Sequence, residues 1–438
     1  MPLLSSLMRI TPVTARLRWL HPLACTALLL APTLLAPSQA SPLAPSLAPS
    51  DPTPASVFEP ARYTPAILRI SFGSAGAAEA SGTPSAPSAQ SSFLDLTLLP
   101  LQGDPIGKRV PVTTAEFSGL LRDLYSQLSR QESLDVGNPQ SAARLLYTLL
   151  IAPIEPDLKR LGVTTLLIAA DPGLQAVPLA ALHDGHRFFG ERYAFALTPS
   201  IGLTSLSVPP NLSVSRPIGV GASSFEGLAP LPLVPQELQQ VAGDRGETHL
   251  NRSFTPSVLL DRMSDTSVAR VHVATHAEFL PGGPSKARLF TGTTPFTLGR
   301  FAQLRQRRNG QPLDLIALSA CRTALGDKDS ELGFAGLSLQ AGSRSAIGTL
   351  WYVDDVATSA FFVQFYRYLD AGLPKAEALQ ATRIAMAQGQ IHLQGDQVIG
   401  SDGSTLLTGL SITQQQRARD GLTNPFFWAG ITLLGTPW

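Results

Sequence analysis

The sequence predicts an α/β fold: a sheet of mostly parallel strands with helices on both faces, preceded by a small α+β part. Three observations lead there. From residue 162 onward, short apolar runs alternate with stretches of helical periodicity, the rhythm of strand–helix–strand crossovers. The runs, such as Leu315-Ile316-Ala317-Leu318, are continuous rather than alternating, as in strands buried on both faces. The 438 residues are 44% hydrophobic and only 15% charged, enough apolar mass for one large domain or two ordinary ones.

Residues 1–40 read as a secretory signal peptide. Arg9, Arg16 and Arg18 form a basic start, Leu20 to Leu35 is mostly apolar, and Ser38-Gln39-Ala40 offers a cleavage site after Ala40. The apolar run is short and broken by Pro22 and Pro32, unlike a membrane anchor, and Cys25 stands at its start, unlike a lipoprotein cysteine. The mature chain is therefore expected outside the cytoplasm, periplasmic or extracellular, with no stable membrane span. Cleavage takes three of the 33 basic residues and leaves 30 against 32 acidic ones, a net of −2. Such a balance lacks the clustered positive charge of a nucleic-acid footprint.

Residues 41–61, SPLAPSLAPSDPTPASVFEPA, should form an extended, disordered tether. An N-terminal α+β extension follows over 62–160. Its expected strands are 63–72, 93–101 and 108–113, with an Ala/Ser/Gly/Pro-rich disordered loop over 73–92. Its helices are expected near 114–131 and 141–160, the second carrying Leu145, Leu146, Leu149 and Leu150 at helical spacing. Residues 161–438 form the main domain. Strands are expected at 164–170, 217–221, 270–275, 314–319, 345–350 and 427–434. Helices are expected at 234–242, 255–263, 298–308, 333–341, 355–371 and 375–388. In such sheets the functional crevice lies beyond the carboxyl ends of the strands.

Two of these ends carry chemistry. Val271-His272-Val273-Ala274-Thr275 runs into His276, and Leu315-Ile316-Ala317-Leu318 runs into Ser319-Ala320-Cys321-Arg322-Thr323. After signal removal Cys321 is the single thiol, so no internal disulfide can form. Free cysteine is most often a small core hydrophobe. A Cys/His pair at two neighbouring strand ends is better matched to a nucleophile with its general acid/base, the equipment of a cysteine peptidase. The backbone N–H groups of Cys321 and Ala277 are the expected oxyanion donors. His272, four residues earlier and deeper in the strand, reads as structural. His183, His186, His249 and His392 have no metal-ligand spacing, so no metal is expected.

The chain resembles the CHAT family, caspase-like proteins in the clan of caspases, separases and gingipains. The resemblance is carried by Leu167-Ile168-Ala169-Ala170-Asp171-Pro172-Gly173 with Val177-Pro178-Leu179-Ala180-Ala181-Leu182, and by Gly219-Val220-Gly221 followed by Leu231-Pro232 and Glu237. It continues through the His276 and Cys321 motifs, Leu350-Trp351-Tyr352-Val353-Asp354-Asp355, and Pro425-Phe426-Phe427-Trp428-Ala429-Gly430. It covers residues from about 160 to the end. The resemblance implies a caspase-like fold, Cys321 as nucleophile, His276 as general acid/base, a polypeptide substrate and a charged P1 side chain. Ala277 departs from the glycine usual after the histidine, Tyr352 from the proline usual after the tryptophan, and no helical repeats precede the domain.

Asp354 or Asp355 is the candidate wall of a pocket for P1 Arg or Lys, set against a role for Asp354 as helix cap. Self-processing is a further expectation, at Lys286, Arg288 and Lys328 in loops flanking the dyad. No cofactor is expected. Some relatives are activated by calcium, but no loop here has a calcium-binding spacing. The competing reading is a non-catalytic interaction module on the same fold; a third is an acyl hydrolase or transferase acting on a non-peptide group.

Overall fold

The computed structural model describes residues 63–74, 92–171, 173–199, 201–204, 216–279, 287–320, 323, 333–352, 354–419 and 421–438. The expected signal peptide, tether and most of the 73–92 loop lie outside them. The described residues fall in one compact unit, Glu59–Trp438.

Its frame is one eleven-stranded sheet. The first part supplies β1 (Pro65–Ser74), β2 (Ser92–Pro100) and β3 (Ile106–Pro111), an antiparallel meander, then β4 (Thr165–Ala170) and β5 (Ala194–Thr198). The second part supplies β6 (Arg216–Gly221), β7 (Glu247–Leu250), β8 (Val268–Ala274), β12 (Leu313–Ser319), β13 (Ser343–Thr349) and β17 (Ile431–Gly435). Across the sheet the order is β3-β2-β1-β4-β5-β17-β13-β12-β8-β6-β7. Because β1 pairs in parallel with β4, the N-terminal strands continue the main sheet. Two three-stranded sheets flank it: β9 (Ala277–Phe279) with β10 (Ala287–Leu289) and β11 (Phe296–Thr297), and β14 (His392–Gln394) with β15 (Gln397–Ile399) and β16 (Thr405–Leu407).

Helices α1 (Thr114–Ser129), α2 (Ala142–Leu150), α3 (Glu155–Arg160) and α4 (Phe189–Arg192) belong to the first part. In the second, α5 (Val234–Ala242), α9 (Asp355–Asp370) and α10 (Lys375–Ala387) pack together on one face of the sheet. The other face takes α6 (Pro256–Ser264), α7 (Leu304–Arg307) and α8 (Gly333–Gln340), and α11 (Ile412–Ala418) abuts α9. Covered on both sides, all seven residues of β12 are buried, which explains its unbroken apolar run.

The sequence expectation differs at several elements. The helix expected over 141–160 is two, because Pro153 has no N–H to continue the ladder and Pro156 instead opens α3. The stretch 298–308 is a 3-10 turn over Leu298–Gln303 followed by the short α7. The last strand starts at Ile431 rather than 427, since Asn424 accepts from Phe426 N–H and caps a 3-10 turn over Pro425–Phe427.

Buried charges pin the second part together. The Lys375 ammonium lies 2.7 Å from Asp314 at the entry of β12. Glu237 of α5 sits between His272 of β8, 2.7 Å away, and the Ser359 hydroxyl of α9, 2.6 Å away, with His272 and Glu237 1% and 2% exposed. His272 thus has the structural place the sequence suggested. Removing one member of such a buried pair typically costs about 3–5 kcal/mol. Arg308 is also buried, and its guanidinium donates to five backbone carbonyls at the entries of β8 and β12.

Candidate active site

The site is built at the carboxyl ends of β6, β8, β12 and β13. In the parallel pairing of β8 with β12, Ala274 is the register partner of Ser319. His276 follows Ala274 by two residues, as Cys321 follows Ser319. Cys321 and Arg322 lie outside the described residues. The backbone on either side of them is firmly held. The Ala320 carbonyl accepts from the Thr349 hydroxyl at 2.7 Å and from the Thr323 hydroxyl at 3.2 Å. The Thr323 hydroxyl in turn accepts from Thr349 N–H at 3.1 Å, and the Thr323 carbonyl from Ala335 N–H at 3.0 Å. Both threonine side chains are buried, so these bonds replace water and fix the turn that leaves β12.

His276 is half-buried. Its ring packs on Phe225, centroids 4.7 Å apart, and its Nε2 lies 2.8 Å from the Ala229 carbonyl oxygen. A carbonyl only accepts, so Nε2 carries a hydrogen, and in the neutral form of the ring this leaves the lone pair on Nδ1. Phe225 and Ala229 belong to the loop between β6 and α5. That loop is anchored by Leu231 N–H donating to the Ser223 carbonyl and by Ser223 N–H donating to Asn251 Oδ1 at 2.8 Å. Asn251 takes a left-handed φ of 54°, a conformation asparagine tolerates better than most side chains.

The backbone after the histidine favours an oxyanion donor. Phe290 N–H donates to the His276 carbonyl at 2.9 Å, and Ala277 is the register partner of Leu289. By the alternation of an antiparallel ladder, Ala277 and Leu289 form a non-hydrogen-bonded pair, so the Ala277 N–H turns away from β10. Ala277 has no positive φ, so this position does not require glycine.

Beyond β13, Trp351 is wedged by its Nε1 donating to the Phe426 carbonyl at 2.9 Å and by edge contact with Tyr125. Asp354 caps α9, accepting from Val356 N–H at 3.0 Å and Ala357 N–H at 3.1 Å. Burial pushes its carboxyl above the usual range, opposed by Arg417. Both Asp354 and Asp355 also contact Arg417 of α11, at 3.3 and 2.7 Å. The structure therefore brings the two candidate pocket carboxylates together, but with a guanidinium already on them. Of the expected processing sites, Lys286 and Lys328 lie outside the described residues. Arg288 is not in a loop: it sits in β10, its Nε donating to Glu278 Oε2 at 2.6 Å.

Sequence reasoning missed Phe225, Ala229, Thr323, Thr349 and Arg417. Ala229 acts through its backbone and leaves no side-chain signal. Among the described residues, no three His, Cys, Asp or Glu side chains converge as a metal site, and no helix is long and apolar enough to cross a membrane.

The family model of the CHAT domain matches residues 140–436. A search of curated proteins gave no match. Among solved structures, the Saccharomyces cerevisiae separase–securin complex is similar at 11% identity and a TM-score of 0.44, over 85% of this chain and 30% of that one. Gingipain R, an Arg-specific cysteine proteinase whose pro- and mature domains are known from Porphyromonas gingivalis, is similar at 12% identity and a TM-score of 0.41, over 74% of this chain and 75% of that one. The chain thus corresponds to less than a third of the separase chain in that complex.

Proposed function

Because this chain belongs to the CHAT-domain family, a caspase-like α/β fold, we propose that it is an exported cysteine endopeptidase working through Cys321 and His276. One observation carries the reading: His276 is held by the Ala229 carbonyl at the end of a strand whose neighbour leads directly into Cys321. With Nε2–H bound to Ala229, Nδ1 is the nitrogen left to take the thiol proton. The thiolate attacks the scissile carbonyl, and the oxyanion is met by the N–H of Ala277 and of Cys321. The imidazolium then gives its proton to the leaving amine. Water, deprotonated by the same imidazole, opens the thioester and restores the thiol.

A charged P1 residue, arginine or lysine, fits the Asp354–Asp355 pair, since carboxylates reward a cationic partner. Export rests on the signal-like residues 1–40, and cleavage after Ala40 would expose Ser41 as the mature N-terminus, which N-terminal sequencing reads directly.

The test is cleavage of a P1-diverse fluorogenic peptide pool in reducing buffer, with and without calcium, by the wild type, Cys321→Ala and His276→Ala. Turnover by the wild type that both variants lose supports the peptidase. A folded wild type that cleaves nothing under either condition overturns it in favour of a non-catalytic interaction module. Cleavage that survives in Cys321→Ala rules out this thiol as the nucleophile.

A further inference from the structure

Asp354 and Asp355 already hold a guanidinium. One Nη of Arg417 lies 3.3 Å from Asp354 Oδ2 and the other 2.7 Å from Asp355 Oδ1. The remaining oxygens are committed: Asp354 Oδ1 caps α9, and Asp355 Oδ2 accepts from the Gln414 amide at 3.2 Å. What is left is a two-point seat matched to the two terminal nitrogens of a single guanidinium. The seat and its occupant differ in exposure. The carboxylate side chains are each 11% exposed, and that of Arg417 is 49% exposed. A half-solvated arginine on a flexible stem can leave by rotating its side chain, with no backbone movement. The seat stands near the dyad in the chain: Asp354 follows β13, whose terminal Thr349 hydroxyl holds the Ala320 carbonyl beside Cys321.

The geometry points to Arg417 as an internal competitor for the P1 seat. Its guanidinium makes the contacts that a substrate arginine would need, so it sets both the affinity for basic P1 residues and the preference between them. The inference rests on the peptidase reading above and adds a control to the same site. While Arg417 is seated, a P1 arginine must displace it and a neutral P1 residue need not. With Arg417 gone, arginine gains most, because it fills both points where lysine fills one.

The experiment compares the wild type with Arg417→Gln on two peptides that differ only at P1, arginine or alanine. Arg417→Gln is expected to lower KM for the arginine peptide roughly tenfold, equivalent to about 1.4 kcal/mol of removed competition. The alanine peptide should be unchanged, and Asp355→Asn added to Arg417→Gln should cancel the gain. An unchanged KM for the arginine peptide, or an equal gain on both peptides, overturns the competitor role while leaving the peptidase intact. If neither protein cleaves either peptide, benzamidine binding followed calorimetrically decides. Binding by Arg417→Gln and not by the wild type or the double variant upholds the occupied seat. No binding by Arg417→Gln overturns it.

Discussion

Arg308 tests whether the far end of the sheet governs the end that carries His276. Its side chain is 3% exposed, and all five N–H donors are used. Nε reaches the Gln311 carbonyl at 3.0 Å, Nη1 those of Met263 and Asp265 at 2.8 and 2.7 Å, and Nη2 those of Val268 and Pro312 at 3.2 Å each. Burial pulls the guanidinium below its ordinary range, with Asp265 opposing. Arg308→Lys keeps the charge but offers three donors from one tetrahedral nitrogen. At least two buried carbonyls then lose their partner, at about 1–3 kcal/mol each, so the loss is about 2–6 kcal/mol. Natural proteins have only about 5–15 kcal/mol in total. Urea unfolding at neutral pH measures the loss. A second readout is Cys321-dependent peptide cleavage at a temperature where the variant remains folded. Because Val268 opens β8 and Pro312 immediately precedes β12, a loosened clamp should lower kcat as well as stability. An Arg308→Lys protein within about 0.5 kcal/mol of wild type, with unchanged kcat, would refute the reasoning.

Three other perturbations follow from the same geometry. Thr349→Val removes the hydroxyl from the Ala320 carbonyl without changing shape; it should cost about 1–3 kcal/mol and most of the cleavage rate, measured by urea unfolding and peptide turnover. Gly430→Ala places a Cβ 2.5 Å from the Trp351 ring, which its bond to Phe426 prevents from retreating; about 1–3 kcal/mol should be lost in the same unfolding assay. Asp184 gives the acid limb. Burial alone would raise its carboxyl, but the N–H groups of Arg187 and His186 and the Arg192 guanidinium outweigh it, so its folded value lies below the ordinary 3.8. Its contribution is complete above pH 3.8 and is lost as pH falls through the folded value. Asp184→Asn should therefore flatten the decline of unfolding free energy below that pH, followed by urea titration at a series of acidic pH values.

The strands that frame the site were legible because β12 is buried on both faces and carries the continuous run Leu315–Leu318, and β8, broken only by Arg270 and His272, is nearly as apolar. Helix α5 was legible to the residue for the complementary reason, a stripe of apolar side chains on one face. Strand β7, Glu-Thr-His-Leu, was not, since it is a partly exposed edge strand with one strongly apolar residue. The strands of the β14–β16 sheet are three residues each, too short for any period to show. At the site, His276 announced itself by standing at the end of an apolar run. The Ala229 carbonyl that orients it is a backbone atom, and any residue there has one. Arg417 meets Asp355 across 62 residues of chain, so neither local spacing nor composition could join them.

Strand β17 comes after every other strand in chain order, yet it lies between β5 and β13. During synthesis, then, every strand of the two wings leaves the ribosome before the one that joins them, and β17 alone closes the two facing edges in the finished protein. At about 5–20 residues per second, several seconds pass between the emergence of Thr349 and that of Ile431. In that interval β5 and β13 are unguarded templates for pairing with other chains. The same delay is protective: a nascent chain stopped short of Ile431 lacks the strand that joins the wings, so a truncated message or stalled ribosome yields no completed sheet.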